Sequence, residues 1–203
     1  MGLNNRISAI LILAGIMALV AAVILPASSY HPVSPTMLQT AGKRSGSRVP
    51  ATPLSGADGR TLSIADVAQD RVAVLFFIKD GCPCSELAEP YFHRLHAAYG
   101  TRAAFIGVIE GMASVAGEWA RRHRSPYPVL ADPELNVIRA CGAERSAYVG
   151  VVVQGKAIER LWPGFSAGML AELGRRLAEK TGLPETPIDV TDAPAALSTG
   201  CSF

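Results

Sequence analysis

The sequence predicts an α/β domain built on a mixed sheet, preceded by one transmembrane helix. Three observations support this. Residues 72–78 form an unbroken apolar run, and strand-like and helix-like segments alternate after it, whereas residues 7–25 contain no charged side chain. An unbroken run of Val, Leu, Phe and Ile is typical of a strand buried on both faces. Alternating strands and helices favour helices packed against both sides of a sheet.

The first apolar segment predicts a membrane anchor. Residues 7–25 comprise 19 residues, close to the roughly 20 needed to cross a bilayer core. Arg6 precedes them, so we expect the amino terminus to stay cytoplasmic and the rest of the chain to be exported. Residues 1–27 are therefore predicted to be the single-pass anchor in the cell membrane, or a signal segment. Cleavage at the small residues that follow would give a secreted protein.

The rest of the chain divides into three parts. Residues 28–50 carry Pro, Ser, Thr and Gly without hydrophobic periodicity, which predicts a flexible tether. Residues 51–182 form the predicted domain. Residues 183–203 are a Pro-rich tail with Cys201 near its end, and the sequence predicts that this tail is not ordered.

The elements of the domain follow from apolar spacing. Phe92, Leu95 and Tyr99 mark one face of a helix after the first strand. The remaining predictions are a short helical turn at 64–67, a strand at 102–110, a helix at 114–124, a hairpin at 146–162 turning near 154–155, and a helix at 167–180.

Charge and cysteine content narrow the function. The 19 Lys and Arg residues nearly balance the 17 Asp and Glu residues, and no basic cluster is interleaved with aromatic side chains. We therefore exclude nucleic acid as a partner. The four cysteines of an exported chain are expected to be paired or poised for thiol–disulfide exchange.

The segment Cys82-Pro83-Cys84 is the strongest candidate site. It lies between the predicted strand and helix, where the N–H groups of a helix N-terminus stabilise a thiolate. Cys82, nearer the loop, is the candidate nucleophile, and Cys84 is the candidate resolving thiol. Two Cα atoms this close in sequence approach 7 Å when extended, so a Cys82–Cys84 bond would require a bent turn and would be strained and oxidising.

Four further residues are candidates for supporting roles. Lys79 would assist if its ammonium faced the thiolate, and Asp80 would either shuttle a proton or shape the turn. Cys141, before Gly142, is expected to be a buried small side chain, with a resolving role as the alternative. Cys201 would resolve Cys82 from the tail or pair with Cys141.

The motifs together resemble those of the thioredoxin-like redoxin superfamily. They are "DGRTLSIADV", the strand "VAVLFFI" with a cysteine after its end, Pro90-Tyr91 in the next helix, "PYPVLADPELNVIRACGAE" and "GKAIERLWPGF". The chain is most similar to alkyl hydroperoxide reductase/thiol-specific antioxidant proteins and to membrane-anchored thiol-disulfide oxidoreductases of the cell envelope. Cys82 lies eight residues before Pro90, which matches the first cysteine of the envelope enzymes. The resemblance covers about residues 50–180.

The resemblance implies a thioredoxin-like three-layer sandwich and a redox activity without a cofactor or metal. The implied substrates are protein thiols and disulfides or a peroxide, and an electron donor would be a further partner. Arg145 fits the arginine that precedes the late strand in peroxiredoxins. Ser85 occupies the position of the second family cysteine, and Ala147 that of the family's cis-proline.

Two alternatives remain at this point. A copper-handling module would bind the metal through two cysteines and a histidine, but no histidine lies at 145–150 and the two cysteines are closer together than in such proteins. A degenerate redoxin with a structural disulfide is favoured by Ser85 and Ala147.

Overall fold

A mixed sheet forms the centre of the protein. The computed structural model describes residues 31–154 and 156–203. The strands are β1 (His31–Pro32), β2 (Leu54–Gly56), β3 (Thr61–Leu62), β4 (Ala73–Ile78), β5 (Ala104–Ile109), β6 (Val129–Ala131), β7 (Val149–Val153), β8 (Ala157–Trp162) and β9 (Ser198–Thr199). The helices are α1 (Pro35–Gly42), α2 (Ile64–Ala68), α3 (Pro83–Tyr99), α4 (Ala113–His123), α5 (Asn136–Cys141) and α6 (Ala167–Thr181).

The strand order in the large sheet is β3-β2-β6-β5-β4-β7-β8, with β1 and β9 forming a separate pair. The pairs β4–β5 and β5–β6 are parallel, whereas β7 is antiparallel to β4. The sheet is therefore mixed, as predicted. Every residue of β4 and of β5 is buried, as expected for central strands covered on both faces.

Helices cover both faces of the sheet. On one face α3, α4 and α6 bury Phe92, Trp119 and Leu173 against the sheet. On the other face α1, α2 and α5 contribute Ala41 and Ile138, among other residues, to a second apolar cluster. The fold is an α/β sandwich of the thioredoxin-like type, and the predicted elements from 64 onward agree with it to within one or two residues at most ends.

Two predicted flexible segments are ordered where the structure describes them. Of the predicted tether, residues 35–42 form α1, which Ser34 caps, and Ala41 is buried. The predicted tail returns to the domain, because β9 pairs with β1 and Ser198 also bridges Phe165. The sequence rule failed here because these segments gain order from contacts with the domain rather than from their own periodicity.

The predicted anchor at residues 7–25 lies outside the described residues. Within residues 31–154 and 156–203, none of the helices is both long enough and apolar enough to cross a bilayer.

Candidate active site

The start of α3 places Cys82 at the carboxyl end of the central strand β4. A turn links the two elements: Gly81 has φ of +70°, in the left-handed region that favours glycine, and the Cys82 N–H donates to Lys79 O at 3.2 Å. Cys82 is the N-cap residue of the 17-residue helix, and its side chain makes no capping bond. Its sulfur is therefore left for other partners at the positive end of the helix dipole.

The Cys82 sulfur accepts hydrogen bonds from two residues outside α3. The Cys201 N–H donates to Cys82 Sγ at 3.1 Å, and the Ser146 hydroxyl donates to the same atom at 3.1 Å. The Cys82 side chain is buried, with 1% of the residue exposed. Donors that converge on a buried sulfur favour its thiolate form.

These contacts lower the pKa of Cys82. The thiol of Cys84 makes the largest contribution, and the thiol and N–H of Cys201 and the Ser146 hydroxyl add to it. Burial opposes them, yet the net effect holds the pKa of Cys82 well below its ordinary value of 9.0. Donation to the Cys82 sulfur raises the pKa of Cys84 and of Cys201. Of the three sulfurs in the cluster, Cys82 is therefore the one whose thiolate form is favoured, and the thiol forms of Cys84 and Cys201 are favoured.

Cys84 lies in the first turn of α3, two residues after Cys82, and is fully buried. Its Sγ lies 3.2 Å from Thr199 O, and the His31 N–H donates to its sulfur. Both chain ends of the described region therefore contact the Cys84 sulfur. The Cys84 thiol also interacts with the Cys82 sulfur, so Thr199 O and the Cys82 sulfur share its single hydrogen and the two sulfurs are neighbours in the site.

Lys79 and Arg145 both contact the tail. Lys79 Nζ donates to Ser202 O at 2.8 Å and pairs with Glu110 at 2.9 Å, so its ammonium is directed to these two groups. Arg145 Nη1 donates to Gly200 O at 2.8 Å. In the structure, the cations predicted for the site thus hold the segment that covers Cys82.

Asp80 forms an ion pair with α4, the helix that connects β5 to β6. Its carboxylate lies 2.6 Å from Arg122, which also contacts Glu86 at 3.1 Å. These side chains are partly exposed, so the pairs contribute little to stability. Their arrangement favours the turn-shaping role for Asp80 over proton transfer.

Cys141 is not part of the cluster. It belongs to the apolar cluster on the opposite face of the sheet from Cys82 and Cys84. Burial, together with the carboxylate of Asp132, raises its pKa to about 12. The buried small side chain expected from the sequence is what the structure shows, and the structure brings Cys141 to neither Cys82 nor Cys201.

Sequence reasoning missed three features of this region. Ser146 was not identified as a donor, although it directly precedes Ala147, the residue assigned to the loop facing the site. The second is Glu89 of α3, which is 1% exposed and accepts from Ser125 Oγ at 2.7 Å. The third is the ordered tail, which brings Cys201 and Thr199 to the two sulfurs. Within the described residues, no group of three or more His, Cys, Asp or Glu side chains has the arrangement of a metal site.

Comparison with known proteins identifies the family of this chain. Residues 45–161 match the model of the AhpC/TSA family. A Mycobacterium tuberculosis protein provisionally named a peroxiredoxin is 29% identical over 122 residues, which cover 59% of this chain and 77% of that protein.

Solved structures share the fold. The peroxidoxin BcpB of Mycobacterium tuberculosis superposes with a TM-score of 0.58 at 20% identity, covering 70% of this chain and 98% of that one. A Chlorobium tepidum protein provisionally named thiol:disulfide interchange protein DsbE gives a TM-score of 0.61 at 17% identity, covering 68% and 98%. The chain belongs to the AhpC/TSA family of the redoxin superfamily and is an oxidoreductase of that superfamily.

Proposed function

We propose that this chain is a membrane-anchored, envelope-facing thiol-disulfide oxidoreductase that uses Cys82 as nucleophile and Cys84 as resolving thiol. The observation that carries the proposal is the Cys82 sulfur itself. It lies at the N-terminus of α3 and accepts two hydrogen bonds of 3.1 Å from Cys201 and Ser146. A thiolate stabilised in this way attacks a disulfide or a peroxide at neutral pH.

Exchange with a substrate disulfide proceeds in two steps. The Cys82 thiolate forms a bond to one substrate sulfur while the substrate disulfide breaks, and the other substrate sulfur leaves as a thiolate. Cys84 then loses its proton and attacks Cys82, which releases the reduced substrate and leaves a Cys82–Cys84 disulfide. Two electrons pass from the cysteine pair to the substrate, and an external thiol donor must return them.

Peroxide reduction is the nearest variant of this chemistry. The Cys82 thiolate takes one peroxide oxygen as the O–O bond breaks and becomes a sulfenic acid, and the second oxygen leaves as water or an alcohol after protonation. Cys84 then condenses with the sulfenic acid, releasing water and giving the same disulfide. The AhpC/TSA match and the similarity to a protein provisionally named a peroxiredoxin favour this variant.

Trapping tests the division of roles. A Cys84→Ser chain should accumulate a stable mixed disulfide between Cys82 and a disulfide substrate, because the resolving thiol is gone. Mass spectrometry of the adduct identifies the cysteine involved, and Cys141→Ser is the matched control that should turn over normally. If Cys84→Ser turns over while Cys201→Ser accumulates the adduct, the resolving role belongs to Cys201.

The membrane location is proposed from the sequence alone. Residues 7–25 would hold the domain on the exported side of the cell membrane. Full-length chain should remain in the membrane fraction after alkaline washing, and an Ile16→Arg variant, with a charge inside the apolar segment, should be partly released. Wild-type chain recovered wholly in the soluble fraction with its N-terminus removed would instead indicate cleavage and secretion.

A further inference from the structure

A very short connection joins the predicted anchor to the folded domain. The apolar segment ends at residue 25, and His31 is already part of the fold, because β1 pairs with β9 in the register His31 to Thr199. Residues 26–30 lie between them, and a chain of this length spans at most about 20 Å when it is fully extended. A bilayer that holds the anchor therefore lies within about 20 Å of His31.

His31 belongs to the end of the domain that carries the candidate active site. Its N–H donates to the Cys84 sulfur, and Cys82 and Cys84 directly follow the carboxyl end of β4. We call this end, with His31, Cys82 and Cys84, the cysteine end. The turn between β7 and β8 lies at the other end of the sheet, because β7 runs antiparallel to β4 and pairs Val152 with Ala73. The short connection thus holds the cysteine end near the bilayer.

The helix α1, which follows β1, has two side chains suited to a lipid surface. Leu38 is 50% exposed and is one of three large apolar side chains that are exposed in the described parts of the chain. Leucine is favoured at the boundary between headgroups and acyl chains. Lys43, the C-cap residue of α1, is also exposed. Both residues lie within about 15 Å of Pro35, where the helix begins.

A cavity of about 310 Å³ lies beyond the end of α1. Its lining residues are Arg44, Arg139, Gly142, Ala143, Glu144 and Phe203. Phe203 lies two residues after Cys201, whose N–H donates to the Cys82 sulfur. The cavity is therefore located at the cysteine end of the domain.

Arg44 and Arg139 give this cavity an excess of positive charge. Glu144 is the acidic residue of the lining, and neither arginine forms an ion pair with a residue in the described parts of the chain. Gly142 leaves room for the Arg44 side chain, since a Cβ atom there would approach Arg44 Cδ to 3.0 Å. Guanidinium groups bind phosphate through paired hydrogen bonds, so two of them at one cavity suit a phosphate group.

We propose that the cysteine end of the domain faces the bilayer, with α1 on the headgroups and with Arg44 and Arg139 bound to the phosphate of an anionic phospholipid. This rests on the anchor of the proposed function, because the short connection restrains the domain only if residues 7–25 span the membrane. Each cation near an anionic surface strengthens the association about fivefold. The orientation directs Cys82 toward substrates held at the bilayer surface.

Lysine footprinting of the full chain in vesicles tests the proposal. The chain is reconstituted in phosphatidylcholine alone or with phosphatidylglycerol, and a membrane-impermeant acetylating reagent labels the exposed amines. By mass spectrometry, Lys43 should be labelled at least about fivefold more slowly in the anionic vesicles. Lys156 in the β7–β8 turn and Lys180 near the end of α6 should not change. High salt should remove the protection of Lys43, because it screens exposed charges.

Two double variants separate docking through the cavity from a general loss of positive charge. Arg44→Gln with Arg139→Gln removes both cations of the cavity and should reduce the protection of Lys43 to less than about twofold. Arg102→Gln with Arg175→Gln removes the same charge from exposed positions elsewhere and should keep the wild-type footprint. Equal loss of protection in the two double variants would assign lipid binding to net charge and would overturn the proposal.

The same samples separate the docking from the redox function. Turnover of hydrogen peroxide and of a soluble disulfide is measured beside the footprint. If turnover is normal and Lys43 is labelled equally in both lipids, the docking is wrong and the redox function stands. If Lys43 is protected and turnover is absent, the docking stands and the redox function is wrong.

Two further results would overturn the docking. Protection of Lys156 as strong as that of Lys43 would show that the cysteine end is not the end that faces the bilayer. Release of the chain from the vesicles by an alkaline wash would show that residues 7–25 do not anchor it, so the membrane location would be wrong as well.

Discussion

Cys82 and Cys141 are both buried thiols, yet their surroundings shift their pKa values in opposite directions. Cys82 is 1% exposed and Cys141 is 0% exposed, and they lie on opposite faces of the same sheet. Around Cys82, hydrogen-bond donors lower the thiol pKa despite burial. Around Cys141, burial and the Asp132 carboxylate raise the pKa to about 12.

The difference shows that burial does not decide whether a cysteine is reactive. The Asp132 carboxylate accepts the N–H groups of Val137 and Ile138, at 2.9 and 2.8 Å, so it stabilises the start of α5 and places negative charge near Cys141. Cys82 instead lies at the start of its helix, at the positive end of the dipole. The direction of the local field, rather than solvent contact, separates a nucleophile from a packing residue.

The largest expected effect of this difference is on activity. Cys82→Ser should reduce turnover of peroxide and of disulfide substrates by about a thousandfold or more, because the nucleophile is lost. Cys141→Ser should stay within about threefold of wild type, since its thiol does not contact the site. Steady-state assays on both variants, with matched folding checked by circular dichroism, make the comparison. Equal losses in the two variants would contradict it.

The pH dependence of stability should differ in sign between the two cysteines. The folded pKa of Cys82 lies below 9.0, so the unfolded chain binds more protons between these values, and the contribution to stability grows as pH rises through that window. It is lost as pH falls through the folded pKa. For Cys141 the folded chain keeps its proton between 9.0 and about 12, so stability falls as pH rises there.

Denaturant unfolding measured across pH on wild type and the two serine variants checks these signs. Cys82→Ser should remove the rising part between acid pH and 9.0, and Cys141→Ser should remove the fall above 9.0. If the Cys82→Ser profile parallels wild type below 9.0, the thiolate assignment is wrong.

Ser146 sharpens the comparison because its hydroxyl donates to the Cys82 sulfur, and no such donor contacts Cys141 among residues 31–154 and 156–203. Ser146→Ala removes a hydroxyl 3.1 Å from the Cys82 sulfur, so the Cys82 pKa should rise and turnover at low pH should fall about tenfold, the effect of one hydrogen bond to a charged group. The ultraviolet absorbance of the thiolate, followed across pH, reports the pKa. Ser166→Ala is the control: it removes the cap of α6 and should cost about 1 kcal/mol of stability without moving that pKa.

The smallest expected effect concerns stability at neutral pH. Cys141→Ser places a hydroxyl in an apolar cluster and should lower the free energy of unfolding by about 1 to 3 kcal/mol. Cys141→Ala keeps the site apolar and should cost less. Urea denaturation of both variants measures the difference, and a Cys141→Ser chain as stable as wild type would show that the site is not a packing position.

Local pattern predicted much of the fold. The apolar run at 72–78 became the buried strand Ala73–Ile78, and the spacing of Phe92, Leu95 and Tyr99 marked the buried face of α3. The two chain ends were misjudged because their order comes from pairing between residues 31–32 and 198–199, far apart in sequence. Such pairing leaves no periodic signal in either segment.

The sequence predicted only part of the candidate site, because only part of the site has a local signal in the sequence. A cysteine between a strand and a helix is recognisable locally, which identified Cys82. The contacts of Ser146 and of the Cys201 N–H depend on three segments that converge on one sulfur, and the sequence alone does not indicate which residues of those segments meet. Lys79 and Arg145 were predicted near the site, but their contacts with Ser202 O and Gly200 O depend on the course of the tail.

The most direct test of the account is to map the disulfides of the purified domain before and after one equivalent of hydrogen peroxide. The account predicts that a Cys82–Cys84 bond forms, that a thiol reductant reverses it, and that Cys141 remains unmodified. Cysteines that stay inert to peroxide, or a bond that leaves Cys82 out, would contradict the claim that Cys82 is the reactive thiolate of this chain.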